Sequence, residues 1–239
     1  MKRFLTCVLS LLVALPLWAG ERHVAPGQGT LAKAIAGADP GDVLILQPGR
    51  YLGSVVIDRP LTLTGGTDAI IDGRGEGTVV TIDAADVRIN NLTVTGSGLN
   101  SQDTDAGIKI LKKADRALIE SNQVIANLHG VDVHGGHDAQ VRGNTIEGTR
   151  QRRLNDRGNG IYVWNSPGTL VEGNTVRWGR DGIFSNTSRK GTYRNNLFRD
   201  LRFAVHYMHT NDSEVSGNVS IGNHLGYAIM FSNRVVLKD

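Results

Sequence analysis

A dipeptide ending in Asn returns along the second half of this 239-residue chain and leaves it little freedom in what it can fold into. Ser121-Asn122, Gly143-Asn144, Gly173-Asn174, Asn195-Asn196 and Gly217-Asn218 follow one another at steps of 22, 30, 22 and 22 residues. Each Asn has a β-branched or aromatic residue three positions earlier: Ile119, Val141, Val171, Tyr193 and Val215. A second phrase keeps the same beat. A Gly or Ala followed by an aliphatic residue recurs at Gly107-Ile108, Gly130-Val131, Gly160-Ile161, Gly182-Ile183, Ala204-Val205 and Ala228-Ile229. A fixed period in the twenties marks a solenoid, in which each unit buries its apolar face only against its neighbours.

Two solenoids share this period. A leucine-rich repeat needs several Leu before its Asn and a helical return, whereas the repeated residues here are Val, Ile and Thr, and 30 glycines leave no room for helices between strands. The spacing therefore predicts an all-β, right-handed parallel β-helix over residues 20–239, with three short strands in each coil of about 22 residues. The asparagines 122, 144, 174, 196 and 218 are expected to stack as an internal ladder that satisfies buried turn backbone. Ahead of the coils, Leu31 and Ile35 at i, i+4 predict a short amphipathic capping helix, with Thr30 as its N-cap and Pro40-Gly41 ending it. The extra eight residues between Asn144 and Asn174 are expected in a loop over 148–158, which carries Arg150, Arg152, Arg153 and Arg157.

Residues 1–19 read as a secretory signal peptide: Lys2 and Arg3, an apolar run from Phe4 to Leu15, and a small-residue site at Ala19. That run is too short to span a bilayer, and no later segment approaches the needed length. A periplasmic location follows. Cys7, the only cysteine, lies inside the leader, so disulfides and thiolate metal sites are excluded from the mature chain. With Lys2 and Arg3 set aside, 24 basic residues face 23 acidic ones, and no nucleic-acid partner is expected. The charge is segregated: 15 acidic and 10 basic residues fall in 20–139, against 8 and 14 in 140–239. The basic half, with its arginine loop at Arg150, Arg152 and Arg153, suits an acidic partner.

Strand alternation sorts the remaining side chains. If Ile108, Val131, Ile161, Ile183, Val205 and Ile229 point inward, then Lys109, Asp132, Tyr162, Phe184, His206 and Met230 form an outer column, with Trp164 and Met208 in a second one. Tyr162, Trp164, Phe184, His206, Met208 and Met230 make an apolar, sulfur- and imidazole-bearing outer face, of the kind that meets a partner or ligand. Thioether and imidazole without thiolate favour copper, particularly Cu(I), so His206, Met208, Met230 and, at the strand end, His209 are the expected ligands. Tyr162, Trp164 and Phe184 are expected to contact a partner. Polysaccharide chemistry is the rival, but Asp181, Asp200 and Asp212 read as scattered through turns without a paired carboxylate, so no catalytic residues are expected. The aromatics keep a sugar-binding role open.

Three runs carry a more specific likeness: Gly158-Asn159-Gly160-Ile161-Tyr162-Val163-Trp164-Asn165-Ser166-Pro167, Arg180-Asp181-Gly182-Ile183-Phe184-Ser185-Asn186, and Leu201-Arg202-Phe203-Ala204-Val205-His206-Tyr207-Met208-His209-Thr210. They resemble the NosD family, and Val219–His224 with Gly226–Ser232 extends the match. The resemblance implies a β-helix of the carbohydrate-binding and sugar-hydrolase (CASH) repeat type. It further implies a non-catalytic periplasmic accessory role in copper-site maturation of nitrous oxide reductase, in denitrification, beside a membrane ABC transporter and a copper chaperone. Family members continue for several more coils beyond the position of Asp239, so the chain is expected to be a fragment.

Overall fold

The computed structural model describes residues 19–239; the expected leader lies outside the described residues except for Ala19. The chain winds as a parallel β-helix whose coils each give one strand to each of three sheets. The first sheet has ten strands, from Glu21–Val24 to Val236–Lys238; the second has nine, ending at Val219–Ile221; the third has eight, from Val55–Ile57 to Leu225–Met230. Every pairing in these sheets is parallel, and each coil lies in register on the last, as in Ile119–Val141–Val171–Tyr193–Val215. Among the described residues no helix is long and apolar enough to cross a membrane.

The interior is built from columns of identical type. Ile108, Val131, Ile161, Ile183 and Val205 stack in one column and are fully buried. Burying each such side chain is worth about 1.5–3 kcal/mol, and a solenoid collects this coil by coil. The residue before each column member is small, Gly in four coils and Ala204 in the fifth, for steric reasons: a Cβ on Gly160 would lie 2.2 Å from Val176 Cγ1. Bulk is balanced across sheets. Where Tyr193 replaces the Val of earlier coils, the facing position is the small Ser185, whose Oγ receives the Tyr193 hydroxyl at 3.0 Å.

The X-Asn phrase has a direct conformational cause. Ser121, Gly143, Gly173, Asn195 and Gly217 all sit in the left-handed region, with φ between 57° and 66°, and turn the chain from the first sheet into the second. Only Gly, or a small polar residue, takes this conformation at low cost. The following Asn then points inward. Its Oδ1 accepts the backbone N–H of the Asn one coil earlier, at 2.9 Å in each of the four steps from Asn122 to Asn218. Its Nδ2 donates to a carbonyl of the preceding coil: Ile89, Ile119, Val141, Val171 and Tyr193 in turn. A shorter hydroxyl ladder closes the third sheet, where Ser166 Oγ accepts from Gly135 N–H, Ser188 Oγ from Ser166 N–H and Ser232 Oγ from Thr210 N–H.

Two expectations need correction at the ends of the solenoid. The capping helix spans Thr30–Ala36 and buries Leu31 and Ile35, but its N-cap is Gly29 at φ 71°, and Thr30 turns its hydroxyl back to Gly27 O at 3.2 Å. In the last coil the strand Leu225–Met230 pairs so that Val205 meets Tyr227, His206 meets Ala228 and Met208 meets Met230. Gly226, not Ala228, therefore continues the small-residue column. The shift is two residues, one full strand period, so Met230 keeps its outward face but lies opposite Met208 rather than His206.

Candidate metal centre

The outward face of the third sheet is more covered than alternation suggests, because two long turns fold onto it. The turn after Thr95 brings Thr104 to the fully buried Asp132, its hydroxyl donating to the carboxylate at 2.9 Å, with Lys109 Nζ at 3.4 Å. The loop over 148–158 contains a 3-10 turn at Leu154–Asp156 and is held by its own arginines. The guanidinium groups of Arg150 and Arg177 each lie 4.0 Å from the ring centre of Trp178. Arg157 donates to the carbonyls of Arg152 and Arg150. Of the three arginines expected to meet an acidic partner, Arg150 is thus engaged in stacking and Arg152 is half-buried; Arg153 is exposed.

Beneath these loops runs an aromatic column. Tyr162 and Phe184 stack at 5.3 Å and 8°, His129 lies 5.8 Å from Tyr162, and Phe184 lies 4.7 Å from His206. Trp164 stacks instead on His134 at 4.4 Å. These rings are half-buried and satisfied largely by one another, so the expected apolar patch is a packed stack.

At the end of this stack the sheet gathers unlike donors. His206 is only 7% exposed. Its Nδ1 lies 3.1 Å from Asp181 Oδ2, and its Nε2 lies 3.4 Å from the thioether sulfur of Met230, which reaches diagonally past the register. Asp181 was expected in a turn; it opens the strand Asp181–Asn186, is fully buried, and takes a two-pronged clamp from Arg202 at 2.8 and 2.6 Å. An arginine-clamped carboxylate accepts and does not donate, so Nδ1 carries the imidazole proton and the lone pair of neutral His206 sits on Nε2. Nε2 and the Met230 sulfur are then two electron-pair donors facing one another. A soft cation between them removes that conflict. Met208 stands beside Met230 in register on the same face. His209 is not brought to this group: at φ 52° it turns out at the strand end, stacks on Phe231 at 5.2 Å, and borders a separate groove with His137 and Arg189.

The donor set suits a soft monovalent metal. A carboxylate holding the remote imidazole nitrogen of a metal-facing His is the usual supporting contact of histidine metal sites. Thioethers select Cu(I) over hard cations and zinc. Among the described residues no group of three or more His, Cys, Asp or Glu side chains is arranged to hold a metal, so a site here has to use methionine sulfur. Sequence reasoning missed Asp181 and Arg202 as partners of His206. The signal was present, since an Asp placed directly before the Gly of the inward phrase sits at a buried corner.

The chain is similar to known proteins in sequence and in fold. Residues 142–239 match the family described as NosD, periplasmic copper-binding protein. The chain is 36% identical over 162 residues to the probable ABC transporter binding protein NosD of Pseudomonas aeruginosa, covering 64% of this chain and 38% of that protein. It is 37% identical over 137 residues to the protein of the same name from Stutzerimonas stutzeri, covering 57% and 31%. The chain thus spans about a third of the length of the curated relatives it matches. Among solved structures it resembles pectate lyase Pel9A, with a TM-score of 0.65, 12% identity, and 86% and 71% of the two chains covered. It also resembles the periplasmic alginate epimerase AlgG, with a TM-score of 0.59, 14% identity and coverage of 90% and 55%. At such identities the likeness is one of fold. The family match falls on the coils that carry Asp181, His206, Met208 and Met230, and over that stretch the chain is similar to the NosD family.

Proposed function

We propose that this chain is a periplasmic accessory protein that binds or relays copper, as Cu(I) in transit, for assembly of the copper sites of nitrous oxide reductase. Its proposed partners are an ABC transporter in the membrane, a copper chaperone that loads it, and the reductase. Copper is cargo here, and the role is binding rather than catalysis. The observation that carries the reading is the meeting of His206 Nε2 with the Met230 sulfur at 3.4 Å, beside Met208 and with Nδ1 held by Asp181. Each of these groups has a role in holding the ion. His206 supplies a nitrogen lone pair of fixed tautomer, the two methionines supply soft sulfur on flexible stems, and the Asp181–Arg202 clamp fixes the ring.

The exposed Arg153 and the outer edges of Tyr162, Trp164 and Phe184 remain the proposed contacts for protein partners. X-ray absorption of the Cu(I)-loaded chain tests the site: one nitrogen and one or two sulfur scatterers are expected. A first shell of oxygen and nitrogen alone would rule it out.

A further inference from the structure

A cavity of about 350 Å3 lies under the arginine loop, separate from the His206–Met230 pair and bordered by Thr104, His129, Arg152, Asn159, Tyr162 and Arg180. Its lining is a mixture of unused donors and acceptors. Arg152 Nη1 and Arg180 Nε are buried without a hydrogen-bond partner, and so is Oδ1 of Asn159, a residue only 2% exposed. Three guanidinium groups, from Arg152, Arg157 and Arg180, line the cavity beside one carboxylate, Asp156, while Asp181 Oδ2 stands 3.9 Å from Arg180 Nε behind it. His129 adds no charge: burial pushes its imidazole down to about 4, and its Nδ1 accepts the Asn159 N–H at 3.1 Å.

Unpaired buried donors and acceptors are costly, so a cavity lined by both is satisfied by a ligand that carries both. A carboxylate matches the guanidinium forks. Hydroxyl groups match the Asn159 oxygen, Asp156 and the Ser101 hydroxyl. Inorganic phosphate fits less well, because its oxygens would face the Asn159 oxygen and the Asp156 carboxylate, and the space exceeds that of a single small ion. The faces of Tyr162 and Phe184 are spent on one another, so a ring entering here meets their edges and is held by polar contacts. We propose that this cavity binds a uronic acid unit of an acidic saccharide, its carboxylate on Arg152 and Arg180 and a hydroxyl on Asn159.

The test is titration calorimetry of the whole chain at fixed ionic strength with trigalacturonate, the neutral galactose trisaccharide, triglutamate and inorganic phosphate. Saturable binding of trigalacturonate is expected, with affinity lowered about tenfold or more by Arg152→Gln through loss of a charge-assisted bond, and less by Arg152→Lys. Arg199→Gln, on an exposed strand end of the second sheet, should change nothing. Copper affinity should survive Arg152→Gln, which separates failure of this site from failure of the copper reading. Trigalacturonate that does not saturate, or that binds equally to Arg152→Gln, would overturn the proposal. Triglutamate or phosphate binding as tightly would likewise overturn it, in favour of an acidic peptide or a simple anion.

Discussion

Truncating Asn174 to Ala should destabilise the solenoid far more than the loss of one surface amide. Its Oδ1 accepts both the backbone N–H and the Nδ2 of Asn144 at 2.9 Å. Its Nδ2 donates to Val141 O at 2.8 Å and to Asn196 Oδ1 at 2.9 Å. The residue is 1% exposed, so water cannot replace these partners. Asn174→Ala leaves the buried Asn144 N–H orphaned and removes a donor from Val141 O; at about 1–3 kcal/mol for each unsatisfied buried group, the cost is about 2–6 kcal/mol. Asn218 supplies an internal comparison. It makes the same bonds to Asn196 and Tyr193 but is only partly buried, so Asn218→Ala should cost about 1 kcal/mol, because water takes over. Urea unfolding followed by circular dichroism gives both values, and exchange of the Asn144 amide reports the orphaned group itself. Equal losses for the two variants, or an Asn144 amide exchanging no faster in Asn174→Ala, would refute the ladder as the source of the stability.

Three further outcomes follow from the same contacts. Asp181→Asn should weaken Cu(I) binding about tenfold or more by freeing the His206 ring, and should cost about 1–3 kcal/mol of stability by leaving the partly exposed Arg202 without its carboxylate; unchanged affinity in chelator competition would make Asp181 structural only. Acid should destabilise the fold through His129: the unfolded imidazole takes up a proton near 6.5 and the buried one near about 4, so stability present above the unfolded value drains away as pH falls between them, by about 3 kcal/mol in full. His129→Gln, which can still accept the Asn159 N–H, should flatten the unfolding midpoint between pH 7 and pH 4. Trp178→Ala should loosen the 148–158 loop, since Arg150 and Arg177 both stack on that ring, and should speed proteolysis there with little change in the far-UV spectrum.

The fold was readable because a solenoid writes its geometry into a period. Left-handed turn residues before each Asn, a Gly or Ala before each inward aliphatic and strict two-residue alternation are local requirements, and each leaves a letter in the sequence. The candidate site was readable only as a face. Parity placed His206, Met208 and Met230 on the outside, but it says nothing about a side chain leaning diagonally, as Met230 does toward His206. The register of the last coil was misplaced because Ala228-Ile229 imitates the small-aliphatic phrase that Gly226-Tyr227 fills. Covering loops were also invisible. Nothing in an outer column announces that Thr104 will seal Asp132, or that Arg152 will turn under its own loop while Arg153 stays in water. Asp181 reads as a turn acid because its neighbour is Gly. Its role comes from Arg202 and His206, 21 and 25 residues away, which only stacked coils bring together.

The central claim is that methionine sulfur and one oriented imidazole on this sheet hold copper. Cu(I) affinity of the Met208→Leu/Met230→Leu chain, measured anaerobically against a competing chelator, tests it most directly. Leu conserves the apolar volume of Met, so the fold and any hydrophobic contact survive. The unaltered chain should bind one Cu(I). The double variant should bind at least about tenfold more weakly, the equivalent of about 1.4 kcal/mol. Undiminished Cu(I) affinity in the double variant would contradict the account and leave this face as a packed surface without a metal role.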